Sequence, residues 1–280
     1  MHNPTRHNGG MDRTELLATS NALPQGAQLL DVRWGLTDPP GAGLAAYRAG
    51  HIPGARFLDL EAVLTGPKTD PTLGRHPLPD ADRLRSGLGV LGIDALRPIV
   101  VYDVPGSFAA GRAWWVLRWA GLDARVLNGG WPGWVTAGGA VETGEPAAPE
   151  PTDVPVRLGQ LSTIDADQVA AWPGTLIDVR AAERFTGEIE PIDPKPGHIP
   201  GAVNRPVAGL WTSDGLLPDD EQLHRYFGEL TSPVAVYCGS GVSAAQGVLA
   251  LAALGVDAAL YPPSWSGWSA DPTRPVATSF

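Results

Sequence analysis

The chain has 280 residues, which suits two globular domains of about 130 residues each. Its composition, 43% hydrophobic and 18% charged, is ordinary for a globular protein, and the formal net charge of −10 argues against nucleic acid or an anionic membrane as a partner. A single cysteine excludes an internal disulfide, a CxxC redox pair and a cysteine-based zinc site. No apolar run approaches the roughly 20 residues that a membrane-spanning helix needs. Both observations fit a cytoplasmic protein, which is our expectation.

Short apolar runs alternate with helical patterns along the whole chain. In the first half we expect helices over 14–23, 80–91 and 109–120 and strands over 28–32, 98–102 and 124–127. In the second half we expect helices over 165–171, 219–230 and 244–254 and strands over 175–179, 234–237 and 258–260. Such alternation predicts an α/β fold in which a mainly parallel sheet carries helices on both faces.

A segment rich in proline and glycine separates the two halves. It covers residues 141–160, and its composition is typical of an extended linker that runs from one domain to the next. We therefore expect domains over 1–140 and 161–280.

Four landmarks of the first half recur in the same order in the second half. Leu-Leu-Asp-Val-Arg at 29–33 answers Leu-Ile-Asp-Val-Arg at 176–180, Gly-His-Ile-Pro-Gly-Ala at 50–55 recurs at 197–202, Val-Val-Tyr-Asp at 100–103 answers Ala-Val-Tyr-Cys at 235–238, and Gly-Trp-Pro-Gly-Trp at 130–134 answers Ser-Trp-Ser-Gly-Trp at 264–268. The order and spacing indicate a tandem duplication.

The only cysteine, Cys238, stands where an expected strand meets an expected helix. Ligands of open parallel sheets bind outside the carboxyl ends of the strands, and a glycine-containing loop followed by a helix N-terminus stabilises an anion. The pattern favours a readily ionised nucleophilic thiol over a buried structural cysteine. Asp103 occupies the equivalent position of the first copy, so we expect that half to be structural and to form a wall of the cleft.

These motifs resemble those of the tandem-domain sulfurtransferases of the rhodanese family, from about residue 14 onward. The resemblance rests on the paired Asp-Val-Arg strands, the paired Gly-His-Ile-Pro-Gly-Ala turns, the terminal Ser-Trp-x-x-Trp and the loop Cys-Gly-Ser-Gly-Val-Ser at 238–243. It implies two tandem rhodanese-like domains, of which the first, with Asp103, is inactive. The neutral loop is similar to that of 3-mercaptopyruvate sulfurtransferases, whereas thiosulfate-preferring members usually carry basic residues after the cysteine.

The activity that the resemblance implies is covalent sulfur transfer. Cys238 would take sulfur from a small-molecule donor, 3-mercaptopyruvate, as a persulfide and release pyruvate. An external thiol, a thioredoxin-like protein or cyanide would then accept the sulfur, because the chain holds no second cysteine. We expect no cofactor, no metal and a monomer.

Several residues are expected to bind the donor. The resemblance assigns the donor's carboxylate to Arg184, whose guanidinium suits an α-keto acid. A second family arginine is absent from the segment that follows, where Lys195 is the candidate substitute. His51 resembles a family histidine that faces the loop serine, with Asp38 as a candidate partner. A structural role in the turn, shared with His198, is the alternative.

The loop itself completes the expected site. Ser240 would donate a hydrogen bond to the substrate or relay a proton to the departing enolate, unless it is a simple turn serine. Gly239, Gly241 and Val242 would contribute backbone N–H groups, and Ser243 would cap the following helix. Four further residues are expected to line or cover the cleft, or to pack in the core: Arg33, Trp34, Arg112 and Trp265.

Three other functions fit parts of the pattern. A cysteine phosphatase needs Cys-x5-Arg, but Ala244 stands six residues after Cys238. A non-catalytic sulfur carrier or binding module does not require the intact cysteine loop. Thiosulfate as the main donor stays open because of the missing second arginine.

Overall fold

The computed structural model describes residues 11–279, so residues 1–10 and 280 of the two expected domains lie outside it. Every strand pair is parallel, in a five-stranded sheet of order β1-β5-β4-β2-β3 and a four-stranded sheet of order β7-β6-β8-β9. The strands are β1 Leu17–Ala18, β2 Gln28–Asp31, β3 Arg56–Phe57, β4 Ile99–Tyr102, β5 Ala124–Leu127, β6 Leu176–Asp178, β7 Val203–Asn204, β8 Val234–Tyr237 and β9 Ala258–Leu260. The expected parallel α/β architecture is confirmed.

Helices connect these strands. They are α1 Arg13–Leu16, α2 Ala42–Ala49, α3 Leu60–Val63, α4 Ala81–Val90, α5 Ala109–Trp119, α6 Gly130–Thr136, α7 Ala166–Ala170, α8 Ala182–Thr186, α9 Asp220–Phe227, α10 Ser243–Ala253 and α11 Ser264–Ala270. Short 3₁₀ turns lie at Pro71–Leu73 and Val207–Gly209. Asp80 and Asp219 accept backbone N–H groups at the starts of α4 and α9, which explains where these equivalent helices begin. Within residues 11–279, no helix combines the length and apolarity needed to cross a bilayer.

The expected helix over 14–23 is wrong beyond its first turn. A capping box of Asp12 and Glu15 starts α1, but the helix ends at Leu16. Leu17 and Ala18 then pair with β5 at the edge of the first sheet. Tertiary pairing therefore overrides the local helical pattern there.

The duplicated motifs form one buried network in each domain. The Asp31 carboxylate accepts from the Arg33 guanidinium, which also donates to the Gly50 carbonyl at 2.6 Å. In the second domain Arg180 joins Asp178 to the Gly197 carbonyl at 2.7 Å. Each Asp-Val-Arg motif thus ties the end of its strand to the Gly-His-Ile-Pro-Gly-Ala turn.

The two domains share a hydrophobic core. One cluster of buried residues contains Trp114 and Trp115 of α5 together with Leu249 and Leu251 of α10. The segment over 141–160 follows the surface of the first domain, where Arg157 donates its N–H to the Ala120 carbonyl at 2.9 Å. This packing fixes the cleft between the carboxyl ends of the two sheets.

Candidate active site

Cys238 directly follows β8 and is almost fully buried, with 1% of its surface exposed. Its sulfur accepts the Gly241 N–H at 3.1 Å, and the Ser264 hydroxyl lies 3.9 Å from it. Gly241 has a φ of +81°, and a Cβ there would collide with the Pro262 carbonyl oxygen, so this turn needs glycine. The loop therefore closes tightly around the sulfur and offers hydrogen-bond donors to negative charge on it.

The residues after Gly241 begin α10. Val242 occupies the cap position and makes no side-chain cap hydrogen bond, so the expectation that Ser243 caps this helix is wrong. Ser243 is the first helical residue instead, and it lines the cavity in front of Cys238.

A cavity of about 520 Å³ lies between the domains at this loop. The second domain contributes lining residues from three stretches, 179–184, 207–208 and 238–243, and the first domain closes the other side. The lining residues that matter here are Arg184, Cys238, Gly239, Ser240, Val242 and Ser243 from the second domain and Trp34, Asp38, Arg75 and Phe108 from the first. The expected role of Trp34 as a wall of the cleft is confirmed.

Ser240 belongs to a hydrogen-bonded chain that crosses the domain boundary. Its Oγ lies 2.8 Å from Nδ1 of His76, and Nε2 of His76 lies 2.9 Å from the Glu61 carboxylate. The Glu61 carboxylate can only accept a hydrogen bond, so Nε2 of His76 carries the ring proton and donates to it, and Nδ1 accepts a hydrogen bond from the Ser240 hydroxyl. The order serine, histidine, carboxylate is that of an acid–base relay.

Charge in this relay follows from burial. Burial lowers the pKa of His76, opposed by its hydrogen bond to Glu61. The hydrogen bond from His76 lowers the pKa of Glu61 to about 2. His76 is therefore neutral and Glu61 ionised near pH 7, which leaves the imidazole able to accept a proton.

The structure places His51 elsewhere, which corrects its expected substrate-binding role. The His51 ring is fully buried, stacks on Tyr47 with centroids 4.0 Å apart and lies 2.9 Å from the Tyr47 carbonyl. His198 makes the same bond to the Phe185 carbonyl at 2.7 Å. Both histidines fix equivalent turns. Asp38 lines the cavity, but the carboxylate bonded to the histidine of the site is that of Glu61.

His76 could have been found from the duplication. Aligning Leu-Pro-Asp at 78–80 with Leu-Pro-Asp at 217–219 puts Gly215 opposite His76 and Asp214 opposite Arg75. His76 has no histidine counterpart in the second copy, so it does not have the turn-fixing role that the equivalent residues His51 and His198 share. That asymmetry was the missed signal.

Arg184 reaches the cavity as expected. Its Nη2 donates to Glu190 and to Asp193, both at 2.8 Å. Arg75 of the first domain forms an ion pair with the same Asp193 carboxylate. Lys195 does not take part, because its ammonium group donates to the Asp271 carbonyl at 3.1 Å and lies outside the cavity lining. The expected contribution of Lys195 to donor binding is corrected accordingly.

Comparison with known proteins places the chain in a family. The rhodanese-like domain family matches residues 13–137 and 161–271. This protein belongs to the rhodanese family. The chain is 45% identical over 258 residues to the putative thiosulfate sulfurtransferase SseB of Mycobacterium tuberculosis, with 89% of each chain covered. It is 43% identical over 263 residues to a probable 3-mercaptopyruvate sulfurtransferase of Pseudomonas aeruginosa, covering 89% of this chain and 92% of that protein.

A solved structure shows the same likeness. The crystal structure of SseA from Escherichia coli, a 3-mercaptopyruvate sulfotransferase with the rhodanese fold, matches with a TM-score of 0.74 at 34% identity, and the match covers 85% of this chain and 92% of that chain. The expectations of two rhodanese-like domains and of a sulfurtransferase are confirmed.

Arg112 joins the two halves of this rhodanese-family site. The guanidinium is fully buried and donates to the Gly241 carbonyl at 3.2 Å and to the His76 carbonyl at 3.0 Å. Burial lowers the pKa of Arg112 to about 10, so it stays charged at neutral pH. A cation beneath the cysteine loop favours negative charge on the sulfur.

Two other expected cleft residues serve the core. Arg33 is held by Asp31 and Gly50, as described above, and does not reach the cavity in front of Cys238. Trp265 is fully buried and donates its indole N–H to the Lys195 carbonyl at 3.0 Å. Trp265 therefore packs in the core and does not cover the site.

Proposed function

We propose that this protein is a 3-mercaptopyruvate sulfurtransferase that carries the transferred sulfur as a persulfide on Cys238. The observation that supports 3-mercaptopyruvate as the donor is the hydrogen-bonded relay of Ser240, His76 and Glu61 beside the cavity. Release of pyruvate requires a proton at carbon, whereas release of sulfite from thiosulfate requires none. A proton relay beside the nucleophile therefore supports the keto acid.

The first half-reaction uses each of these groups once. The Cys238 thiolate attacks the donor's sulfur, so that an S–S bond forms while the C–S bond breaks and its electron pair leaves on the carbon as the enolate of pyruvate. Neutral His76 accepts the donor's thiol proton through the Ser240 hydroxyl and returns it to the enolate carbon. Thiolate and mercaptopyruvate thus become persulfide anion and pyruvate, with atoms and charge conserved.

The other groups orient and stabilise. Arg184 would hold the donor's carboxylate through a charge-assisted hydrogen bond. The Gly241 N–H and the buried Arg112 would stabilise charge on the sulfur before and after transfer. The first domain, inactive itself, would supply His76 and the opposite wall. An external thiol, a thioredoxin-like protein or cyanide would accept the sulfur, and a reducing cytoplasm would keep Cys238 free for the next cycle.

Thiosulfate is the second candidate donor. Two arginines, Arg75 and Arg184, line the cavity, and two cations suit a dianion. The relative from Mycobacterium tuberculosis carries a thiosulfate name.

Parallel values of kcat/KM with 3-mercaptopyruvate and with thiosulfate, both with cyanide as acceptor, test the proposal. We expect mercaptopyruvate to be preferred by at least about tenfold, and intact mass after donor addition to show one extra sulfur on wild type and none on Cys238→Ser. A preference for thiosulfate would contradict the assigned donor. Turnover by Cys238→Ser would contradict the assigned nucleophile.

A further inference from the structure

Glu61, at the end of the relay away from Cys238, is the most exposed member of the relay. The side chain of His76 is 3% exposed, whereas that of Glu61 is 40% exposed. Ser240 lines the cavity that contains Cys238, but His76 and Glu61 line a second cavity of about 640 Å³. A glutamate that borders such a space has rotamer freedom to lose when it is held in one position. The carboxylate therefore has room to turn away from the imidazole unless another group holds it.

Lys68 contacts this carboxylate from the second cavity. Nζ of Lys68 lies 3.0 Å from Oε2 of Glu61, while Nε2 of His76 lies 2.9 Å from Oε1. Each carboxylate oxygen thus has one partner, and within residues 11–279 the carboxylate makes no other hydrogen bond or ion pair. With Oε2 held by the ammonium group, Oε1 faces the ring that it must stabilise.

The main chain places Lys68 beside the relay. Gly66 donates its N–H to the Pro77 carbonyl, directly after His76 in the chain, at 2.9 Å. A Cβ on Gly66 would collide with the Leu78 carbonyl oxygen, so this loop packs directly on the segment that follows His76. Although 54% of its side chain is exposed, Lys68 therefore extends from a loop that is docked against the relay.

Other charged groups lie near the relay but do not pair with this carboxylate. Arg112 of α5 donates to the His76 carbonyl at 3.0 Å, and Arg83 of α4 donates to the main-chain carbonyl of Glu61 at 3.3 Å. The other charged residues that line the second cavity are Arg33, Asp38, Asp59 and Arg75. Lys68 is thus the cation that pairs with the carboxylate oxygen turned away from His76.

We propose that Lys68 is a positioning residue of the relay, whose ammonium group holds the Glu61 carboxylate against His76. The inference rests on the proposed function, in which neutral His76 takes a proton through Ser240 and becomes an imidazolium that Glu61 stabilises. A carboxylate that turned into the second cavity would leave this imidazolium without its partner. Lys68 therefore affects the rate of proton transfer and not the binding of the donor.

Steady-state kinetics of three substitutions at Lys68 test this role. We expect Lys68→Arg to behave as wild type and Lys68→Gln to lower kcat with mercaptopyruvate by about threefold, within the range for an exposed ion pair. Lys68→Glu should lower it by about tenfold, because it repels Glu61. The KM for mercaptopyruvate and the rate with thiosulfate, whose transfer needs no proton, should not change. The matched control is Arg48→Gln, which removes an equally exposed side chain that pairs with Glu145 away from both cavities and should behave as wild type.

A double-mutant cycle shows whether Lys68 acts through His76. In the His76→Gln background, Lys68→Gln should have no further effect on kcat. A further threefold loss in that background would mean that Lys68 acts elsewhere and would overturn the inference. Wild-type kcat in both Lys68→Gln and Lys68→Glu, with His76→Gln impaired, would also overturn it but leave the proposed function standing.

Titration of the His76 ring by NMR, with its signals assigned by their loss in His76→Gln, reports the position of Glu61 without turnover. Glu61 raises the pKa of His76 through its hydrogen bond and its charge, and each effect exceeds the opposing effect of the Lys68 charge. If Glu61 turns away in Lys68→Gln, the pKa of His76 falls, whereas loss of the Lys68 charge alone would raise it. We expect a fall, and a rise or an unchanged pKa would contradict the positioning role. A fall together with full kcat in His76→Gln would overturn the proposed function and leave the contact of Lys68 with Glu61 as inferred.

Discussion

The two domains carry the same loop frame around different side chains. The backbone N–H of Trp265 donates to the Cys238 carbonyl at 2.9 Å, and the backbone N–H of Trp131 donates to the Asp103 carbonyl at 2.8 Å. The position before each tryptophan has a φ of 54°, but it is Gly130 in the first domain and Ser264 in the second. A non-glycine residue in this conformation is strained. The strain is retained where the hydroxyl accepts the Cys238 N–H at 3.1 Å.

The larger difference lies across the cleft from each loop. The first domain places Arg75 and His76 opposite Cys238, beside a cavity of about 520 Å³. The second domain places Thr212, Ser213 and Gly215 at the cavity that contains Asp103, and that cavity is about 230 Å³. Each loop thus faces residues of the other domain, but only the residues that face Cys238 include a cation and a side chain that can transfer a proton. A reactive site in this duplicated fold needs a nucleophile from one copy and its partners from the other.

Moving the thiol to the other loop is the strongest test of this comparison. In the double variant Asp103→Cys/Cys238→Ser we expect sulfur transfer from mercaptopyruvate to fall by at least about 10³-fold, to the background rate, because no arginine or histidine faces residue 103 within the described part of the chain. Cyanide assays and intact mass measure the outcome. Sulfur transfer above the level of Cys238→Ser alone would contradict this view, because it would show that a thiol in the loop is sufficient without an arginine or histidine from the other domain.

The two histidines of the first domain separate catalysis from folding. We expect His76→Gln to lower kcat with mercaptopyruvate by about 100-fold at nearly constant KM, the range for general acid–base catalysis, while transfer from thiosulfate is spared. His51→Gln should instead lower the melting temperature, since it removes the stacked, hydrogen-bonded ring from a turn, and should leave kcat intact. A loss of kcat in the His51 variant alone would reverse these assignments.

Much of the site followed from the sequence because its signals are local or repeated. Cys238 is unique, the loop glycines adjoin it, and the duplicated motifs exposed Asp103 as its counterpart. Strand and helix positions followed wherever the apolar pattern was long, as in β4 and α5. Arg184 followed from its match to a family motif and does reach the cavity.

The rest of the site depends on how the domains dock. His76 and Arg75 lie more than 160 positions before Ser240 and Gly239, and the docking of their segment on Pro263 and Ser266 brings them to the loop. No spacing rule reaches across such a contact. Short elements such as α2 and β3 were also missed, because too few residues carry a periodic pattern there.

The last prediction concerns the stability of the protein and the carboxyl group of Asp103, the residue of the first domain that is equivalent to Cys238. Burial raises the pKa of Asp103 to about 7, opposed by the N–H of Ala110, which it accepts at 2.9 Å. The unfolded value is about 3.9, so between these values the native state holds a proton that the unfolded state has lost. Stability therefore falls as pH rises from about 4 to 7, and the full penalty persists above it.

Asp103→Asn removes this ionisation and keeps an oxygen that can accept from Ala110. We expect the variant to be more stable than wild type at pH 8 by at least about 1 kcal/mol, or roughly 2–4 °C in melting temperature, with an upper limit of about 4 kcal/mol set by the pKa difference of about three. Little gain is expected at pH 4, where wild-type Asp103 is protonated. The exposed Asp257→Asn is the control and should show no such pH dependence. An equal gain in stability at pH 4 and pH 8 would contradict this explanation. Only the ionisation of Asp103 can make the stability difference between the variant and wild type depend on pH.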